Sequence, residues 1–222
     1  MKHTIKWFSL LAVMAGFSSI AAAEGVFVGG SLDAQSSKLK ASSCQSPNGY
    51  DLDCSDKLSG SRMGLGLKAG YDFGQFRVYG QYQHNFKAKE TIHETHSFNG
   101  KVMSVYDEEL SWKTDDLTVG ADFTPSFSDS FKGLIGGYLG YSHLKYNYKD
   151  TGTYPESFGF NANGIVYGAR LGGIYSFNEH NELEFGVKAE QANYKRYTDE
   201  DGDSFKPKTT NYGAFVGYNY KF

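Results

Sequence analysis

Residues 212–222 read Y-G-A-F-V-G-Y-N-Y-K-F and close the chain. Counted back from Phe222, the positions Tyr220, Tyr218, Val216, Ala214 and Tyr212 are apolar or aromatic. The intervening set is Lys221, Asn219, Gly217, Phe215, Gly213 and Asn211. A period of two marks a β-strand with one greasy face. A strand that closes a membrane barrel has a physical reason to place aromatic rings at the level of the lipid headgroups. Whether that reason applies depends on the other strands repeating the pattern.

They do. Val26 to Gln35 alternates Val26, Val28, Gly30, Leu32 and Ala34 with Gly29, Ser31, Asp33 and Gln35. Met63 to Phe73 alternates apolar residues with Arg62, Gly64, Gly66, Lys68, Gly70 and Asp72. The two-residue link Gly74-Gln75, with glycine at the first central position, predicts a tight hairpin into Phe76–Gln83. That hairpin sets Asp72 opposite Arg77 and Gly70 opposite Tyr79. Leu117–Phe123 is the clean part of a fourth strand. Leu110, Trp112 and Thr114 fall on the wrong parity, which predicts a bulge or a loop before it. A fifth strand, Phe131–Tyr148, shows no clean alternation, so its faces are left unassigned. Residues 164–177 and 182–190 give a sixth and a seventh, with Arg170 expected opposite Glu190. The connections alternate long (36–60, 87–109, 149–161, 194–209) and short (74–75, 125–130, 178–181). These features predict an all-β fold, an eight-stranded antiparallel up-and-down transmembrane β-barrel with short turns at one end and four long loops at the other.

Composition fits this reading: 17 Tyr, 17 Phe and 27 Gly against only 4 Pro favour strands over helices. Residues 1–23 have the form of a cleaved export signal: Lys2 and Lys6, an apolar run from Trp7 to Ile20, then Ala21-Ala22-Ala23. The barrel domain is accordingly expected over 24–222. Without Lys2 and Lys6 the chain carries 20 basic and 25 acidic residues. No basic excess points to nucleic acid. No later run of eighteen apolar residues offers a membrane helix. Cys44 and Cys54 share one polar segment, and export brings them to an oxidising space where they are expected to pair. A bridge over so short a loop contributes roughly 3 kcal/mol in the chain-entropy model.

If the apolar faces meet lipid, the other faces point inward with Asp33, Arg62, Lys68, Asp72, Arg77, Asp122, Arg170, Glu182, Glu184, Lys188 and Glu190. An eight-stranded barrel leaves an interior just wide enough for side chains, so these charges are expected to pair with one another and plug it. The glycines on the same faces are expected to make room for them. The alternative is a narrow or gated pore.

The export signal, the eight amphipathic strands, the long-short alternation and the terminal Gly217-Tyr-Asn-Tyr220-Lys-Phe222 together resemble the small outer-membrane β-barrel superfamily: the OmpA transmembrane domain, OmpX/Ail and opacity-type proteins. The resemblance implies residence in the outer membrane of a Gram-negative bacterium, as a monomer among outer-membrane lipid and lipopolysaccharide. It implies an assembly signal at Gly217, Tyr220 and Phe222 for the barrel-assembly machinery, although Phe215 stands where that signal has a polar residue. It also implies envelope integrity, adhesion or contact with host or surface ligands through the loops. No cofactor is implied. The competing classes are a small-solute pore or transporter and a lipid A-modifying enzyme.

For catalysis the sequence offers little. His96-Ser97 and Ser142-His143 are adjacent in sequence, so on a strand their side chains point to opposite faces. His93 and His96 form an i, i+3 pair beside Glu94, but no third ligand is fixed by spacing, so no metal site is expected. The acidic run Asp199-Glu-Asp-Gly-Asp203 departs from the calcium-loop pattern in its glycine and in its closing residue, which is Thr210.

Overall fold

The computed structural model describes residues 25–48, 51–52, 57–98, 101–150, 157–199 and 202–222. The export signal and Cys54 lie outside them, as do the side chains of His93 and His96. Eight long strands run in order: β1 (Val26–Gln45), β3 (Lys57–Asp72), β4 (Phe76–Phe98), β5 (Lys101–Phe123), β6 (Phe131–Asp150), β7 (Ser157–Ser176), β8 (Asn181–Tyr194) and β10 (Ser204–Lys221). Two short strands, β2 (Asp51–Leu52) and β9 (Tyr197–Thr198), pair at the far ends of β1 and β10. Each long strand pairs antiparallel with its neighbours, and β1 pairs with β10, so the sheet closes on itself. Closure leaves the long strands no free edge, and every backbone group in the bilayer finds a partner.

The outside is apolar in a band. Val28, Leu32, Leu67, Val78, Val119, Leu139, Leu171 and Val216 are all exposed. At the end carrying the tight turns, rings pair outside the band: Tyr71 with Phe73 at 4.6 Å, Phe76 with Phe123 at 5.2 Å, Tyr175 with Phe177 at 5.2 Å, and Tyr220 with Phe222 at 5.1 Å. Tyr82, Tyr141, Tyr167 and Tyr212 mark the other edge. Two aromatic girdles around an apolar belt match a bilayer with its two interfaces.

The hairpin predicted at Gly74-Gln75 is present. Gly74 has a φ of 89°, Phe73 N–H donates to Phe76 C=O at 2.7 Å, and Asp72 faces Arg77. Three expectations need correction. First, the long polar stretches are largely strand: β1 and β3 continue over much of 36–60, and β4 and β5 over most of 87–109. A spanning strand needs about 9–11 residues, whereas β1, β6 and β7 each run for 20. The barrel therefore rises well above the membrane.

Second, the parity break before Leu117 is neither a bulge nor a loop in β5, which runs on as one strand. Its register with β6 is unbroken from Glu108↔Asp150 to Phe123↔Ile135. Leu110 and Trp112 lie on the same inward face as Thr118 and Asp122, and both are buried. The register break lies on β4, between Asn85 and Ala88. The sequence misleads here because, above the bilayer, water lies outside and the apolar groups turn inward. The polarity of the two faces inverts while the strand continues.

Third, the faces of β6, which the sequence leaves open, are set by its pairing with β5 and β7. Leu134, Ser142 and Leu144 are buried inward, while Ile135, Leu139 and Tyr141 face out. Apolar residues on both faces erase the alternation.

Candidate functional site

The inward faces form layers. At the turn end, Arg77 Nη2 donates to Asp72 Oδ2 at 2.6 Å and to Glu182 Oε2 at 2.7 Å, and Lys221 reaches Asp72 at 3.4 Å. Above them, Arg170 binds Asp122 through both Nε, at 2.9 Å, and Nη2. It also donates to Glu184 at 2.7 Å, and Lys68 Nζ reaches the same carboxylate at 2.6 Å. The Arg170 guanidinium lies over the Tyr79 ring at 4.6 Å. In a third layer Lys188 meets Asp33 at 3.2 Å and Arg62 meets Glu190 at 3.5 Å. Glu190 also accepts from Tyr138 O–H at 2.8 Å and Asn211 Nδ2 at 2.9 Å. Isolated charges here would carry a large desolvation penalty, which shared and bidentate contacts offset.

The structure brings together all the inward charges named from sequence, but with one different pairing. Arg170 faces Lys188 across β7–β8, and Glu190 faces Gly168. The turn closes with Phe177 N–H donating to Asn181 C=O, which fixes the register two residues away from the expected one. A two-residue shift keeps every side chain on its face, so alternation alone does not detect it. The like charges Arg170 and Lys188 sit side by side because each reaches a different carboxylate across the lumen.

Sequence reasoning missed two members. Lys221 lies on the inward set of the terminal strand but went uncounted, and Asp116 lies one residue before the clean part of its strand. Asp116 accepts from Asn85 Nδ2 at 2.7 Å. The glycines also divide into two kinds. At Gly64 a Cβ would crowd the Gln83 and Asn85 side chains, and at Gly168 the Tyr138 ring, as expected. At Gly172, Gly186 and Gly213 it would strike neighbouring backbone, so these allow close strand approach instead.

Over the charged layers sits an apolar seal of Leu39, Ala88, Trp112, Leu144, Phe160, Ala162, Val166, Ala192 and Tyr194. Trp112 is fully buried, and its indole N–H donates to Ser37 Oγ at 2.9 Å. Within the charged layers, the void between Asp33, Lys68, Asp116, Tyr138 and Arg170 measures about 20 Å³. That is room for about one water molecule.

Of the terminal residues, Gly217 faces inward opposite Ser31. Tyr220 and Phe222 face out, and Phe222 N–H donates to Val26 C=O at 3.0 Å. Cys44 lies on β1; its expected partner is outside the described residues.

A family model described as the outer membrane protein beta-barrel domain matches residues 8–222. The chain belongs to that family. It is an integral β-barrel protein of the cell outer membrane. Among solved structures, it is similar to Ail, the attachment invasion locus protein of Yersinia pestis, at 19% identity over 90% of this chain and 100% of that one, with a TM-score of 0.47. It is also similar to Neisserial surface protein A at 16% identity, over 91% and 100% of the two chains, with a TM-score of 0.47. The outer membrane protease OmpT of Escherichia coli is similar at 10% identity, over 92% and 99%, with the same score of 0.47. No curated protein sequence matches this chain. Likeness at this distance assigns no activity.

Proposed function

We propose that this outer-membrane barrel is a non-enzymatic, non-conducting protein that supports the envelope and carries loops for surface contact. The packed lumen is the observation behind this reading. Three layers of ion pairs lie beneath an apolar seal, so no continuous aqueous path for a solute is evident. The extended strands lift the loops clear of the bilayer, which suits contact with a host or surface ligand. Refolded protein in planar bilayers should show no sustained conductance; a steady current of open-porin size would refute the closed reading.

The Nδ1 atoms of the described histidines pair with groups other than a serine hydroxyl or a thiol. His84 Nδ1 pairs with Asp115 at 2.6 Å, His143 Nδ1 with Asn163 at 2.6 Å, and His180 Nδ1 with the Lys221 carbonyl at 3.0 Å. A deletion strain is accordingly expected to keep an unchanged lipid A mass profile.

Lysines 38, 40, 57, 113, 145 and 208 stand on the outer face at or above the upper girdle, by strand alternation. At that level they would meet lipopolysaccharide phosphates. Gly217, Tyr220 and Phe222 would serve as the signal for the barrel-assembly machinery, with the protein inserted as a monomer.

A further inference from the structure

Above the apolar seal, the raised part of the barrel encloses a cavity of about 620 Å³ that opens away from the membrane. This is the size of a small-molecule site rather than of a protein-docking face. Its floor is aromatic and centred on Phe160. The ring of Tyr146 lies 5.0 Å from that of Phe160, Phe205 5.3 Å and Tyr197 4.8 Å. Apolar burial gives such a floor affinity for a flat or bulky organic body.

Four charged residues line this cavity, Lys40 and Lys57 from β1 and β3 and Glu90 and Glu108 from β4 and β5; alternation turns the cross-strand lysine pair outward and the two glutamates inward. Glu90 pairs with Leu110, and Glu108 pairs with Ile92, so both carboxylates stand on the inward face as diagonal neighbours on β4 and β5. Glu90 accepts from the Ser59 N–H at 2.7 Å, and Glu108 from the Tyr148 hydroxyl at 3.1 Å. Among the described residues neither has an ion-pair partner. The nearby lysines sit on the alternate, outward positions of their strands. Lys89 there binds Glu109 at 2.9 Å, and that hydrogen bond holds the Glu109 carboxyl below the usual range. Two inward carboxylates beside a cluster of electron-rich rings attract a cation both directly and through the ring faces.

We propose that this outer mouth is a binding site for small organic cations, with the apolar body on the Phe160 ring cluster and the cationic group between Glu90 and Glu108. Because Leu39, Trp112 and Leu144 close the floor, the ligand is held at the surface and does not pass through. The site is independent of the closed lumen: conductance tests the lumen, and binding tests the mouth.

The test is isothermal titration calorimetry of the refolded barrel in phosphatidylcholine nanodiscs, with empty nanodiscs as the blank. The probes are a naphthylethyl-trimethylammonium cation and the uncharged naphthylethanol. The cation should bind saturably and at least tenfold more tightly than the alcohol. Glu90→Gln/Glu108→Gln should remove that preference, and Phe160→Ala should weaken both probes about tenfold. Heat-shifted gel migration checks that each variant is assembled. The Gln pair, which stays nearly isosteric at half-exposed positions, keeps the test decisive if Phe160→Ala misfolds. Uptake equal to the empty-nanodisc blank, or equal affinity for cation and alcohol in the wild-type protein, overturns the proposal.

Discussion

Arg170 shows what a single lumen residue does. Its guanidinium joins Asp122 on β5 to Glu184 on β8 and lies over the Tyr79 ring from β4, tying together strands distant in sequence. Arg170→Ala leaves the buried Asp122 without its ion-pair partner and Glu184 with Lys68 alone, which costs about 3–5 kcal/mol. Urea unfolding of the variant refolded into lipid vesicles should show a loss of that order; a change under 1 kcal/mol would mean that Lys68 and water take over. Trp112 tests the apolar seal in the same way. Replacing its fully buried ring by Ala leaves a cavity and is expected to cost about 3–5 kcal/mol. The same unfolding assay reads it, and an unchanged midpoint would show that the seal contributes little.

Strand β4 shows how one element carries two registers. Between Asn85 and Ala88 it holds one residue more than the facing Thr114–Trp112 step of β5. The extra residue keeps Ala88 pointing into the seal after Phe86 and Lys87 have both turned outward. Deleting Lys87 restores plain alternation, with Asn85 and Ala88 still inward, so assembly and heat-modifiable migration should persist. Deleting Tyr82 instead flips the residues beyond it to the opposite face, driving Gln83 and Asn85 into lipid. That variant should fail to reach the heat-shifted form. If both deletions behave alike, the bulge does not set the register.

The closed sheet is a property of the whole molecule, and β10 supplies it by pairing with β8 on one side and β1 on the other. Phe222 is exposed at its end, and beyond the edge-to-face contact of its ring with Tyr220 its side chain does little for the folded barrel. Phe222→Ala is therefore expected to lower the amount inserted in the outer membrane several-fold while export to the periplasm continues, as quantitative blotting of membrane and periplasmic fractions would show. Normal insertion would remove the role given to this terminus. The raised barrel above the girdle is also a whole-molecule property. It places a water-exposed cup on a lipid-embedded base, two environments along the same eight strands.

Within the bilayer the sequence by itself determined the fold. Lipid demands apolar side chains outside, so alternation in Val26–Gln35, Met63–Phe73 and Leu183–Ala189 shows which face is which. The Gly74-Gln75 turn even fixes one register, because its length and glycine leave no other. The inward charges were legible too, since a charge on the lipid face is too costly to keep. Tertiary structure alone decided the rest. Alternation is blind to a two-residue shift, so only the closed turn at 177–181 shows Arg170 beside Lys188 and away from Glu190. Above the membrane, water replaces lipid outside and the same rule runs backwards. Leu110, Trp112 and Leu144 then read as irregular until the closed sheet shows that they are all buried on its inner face.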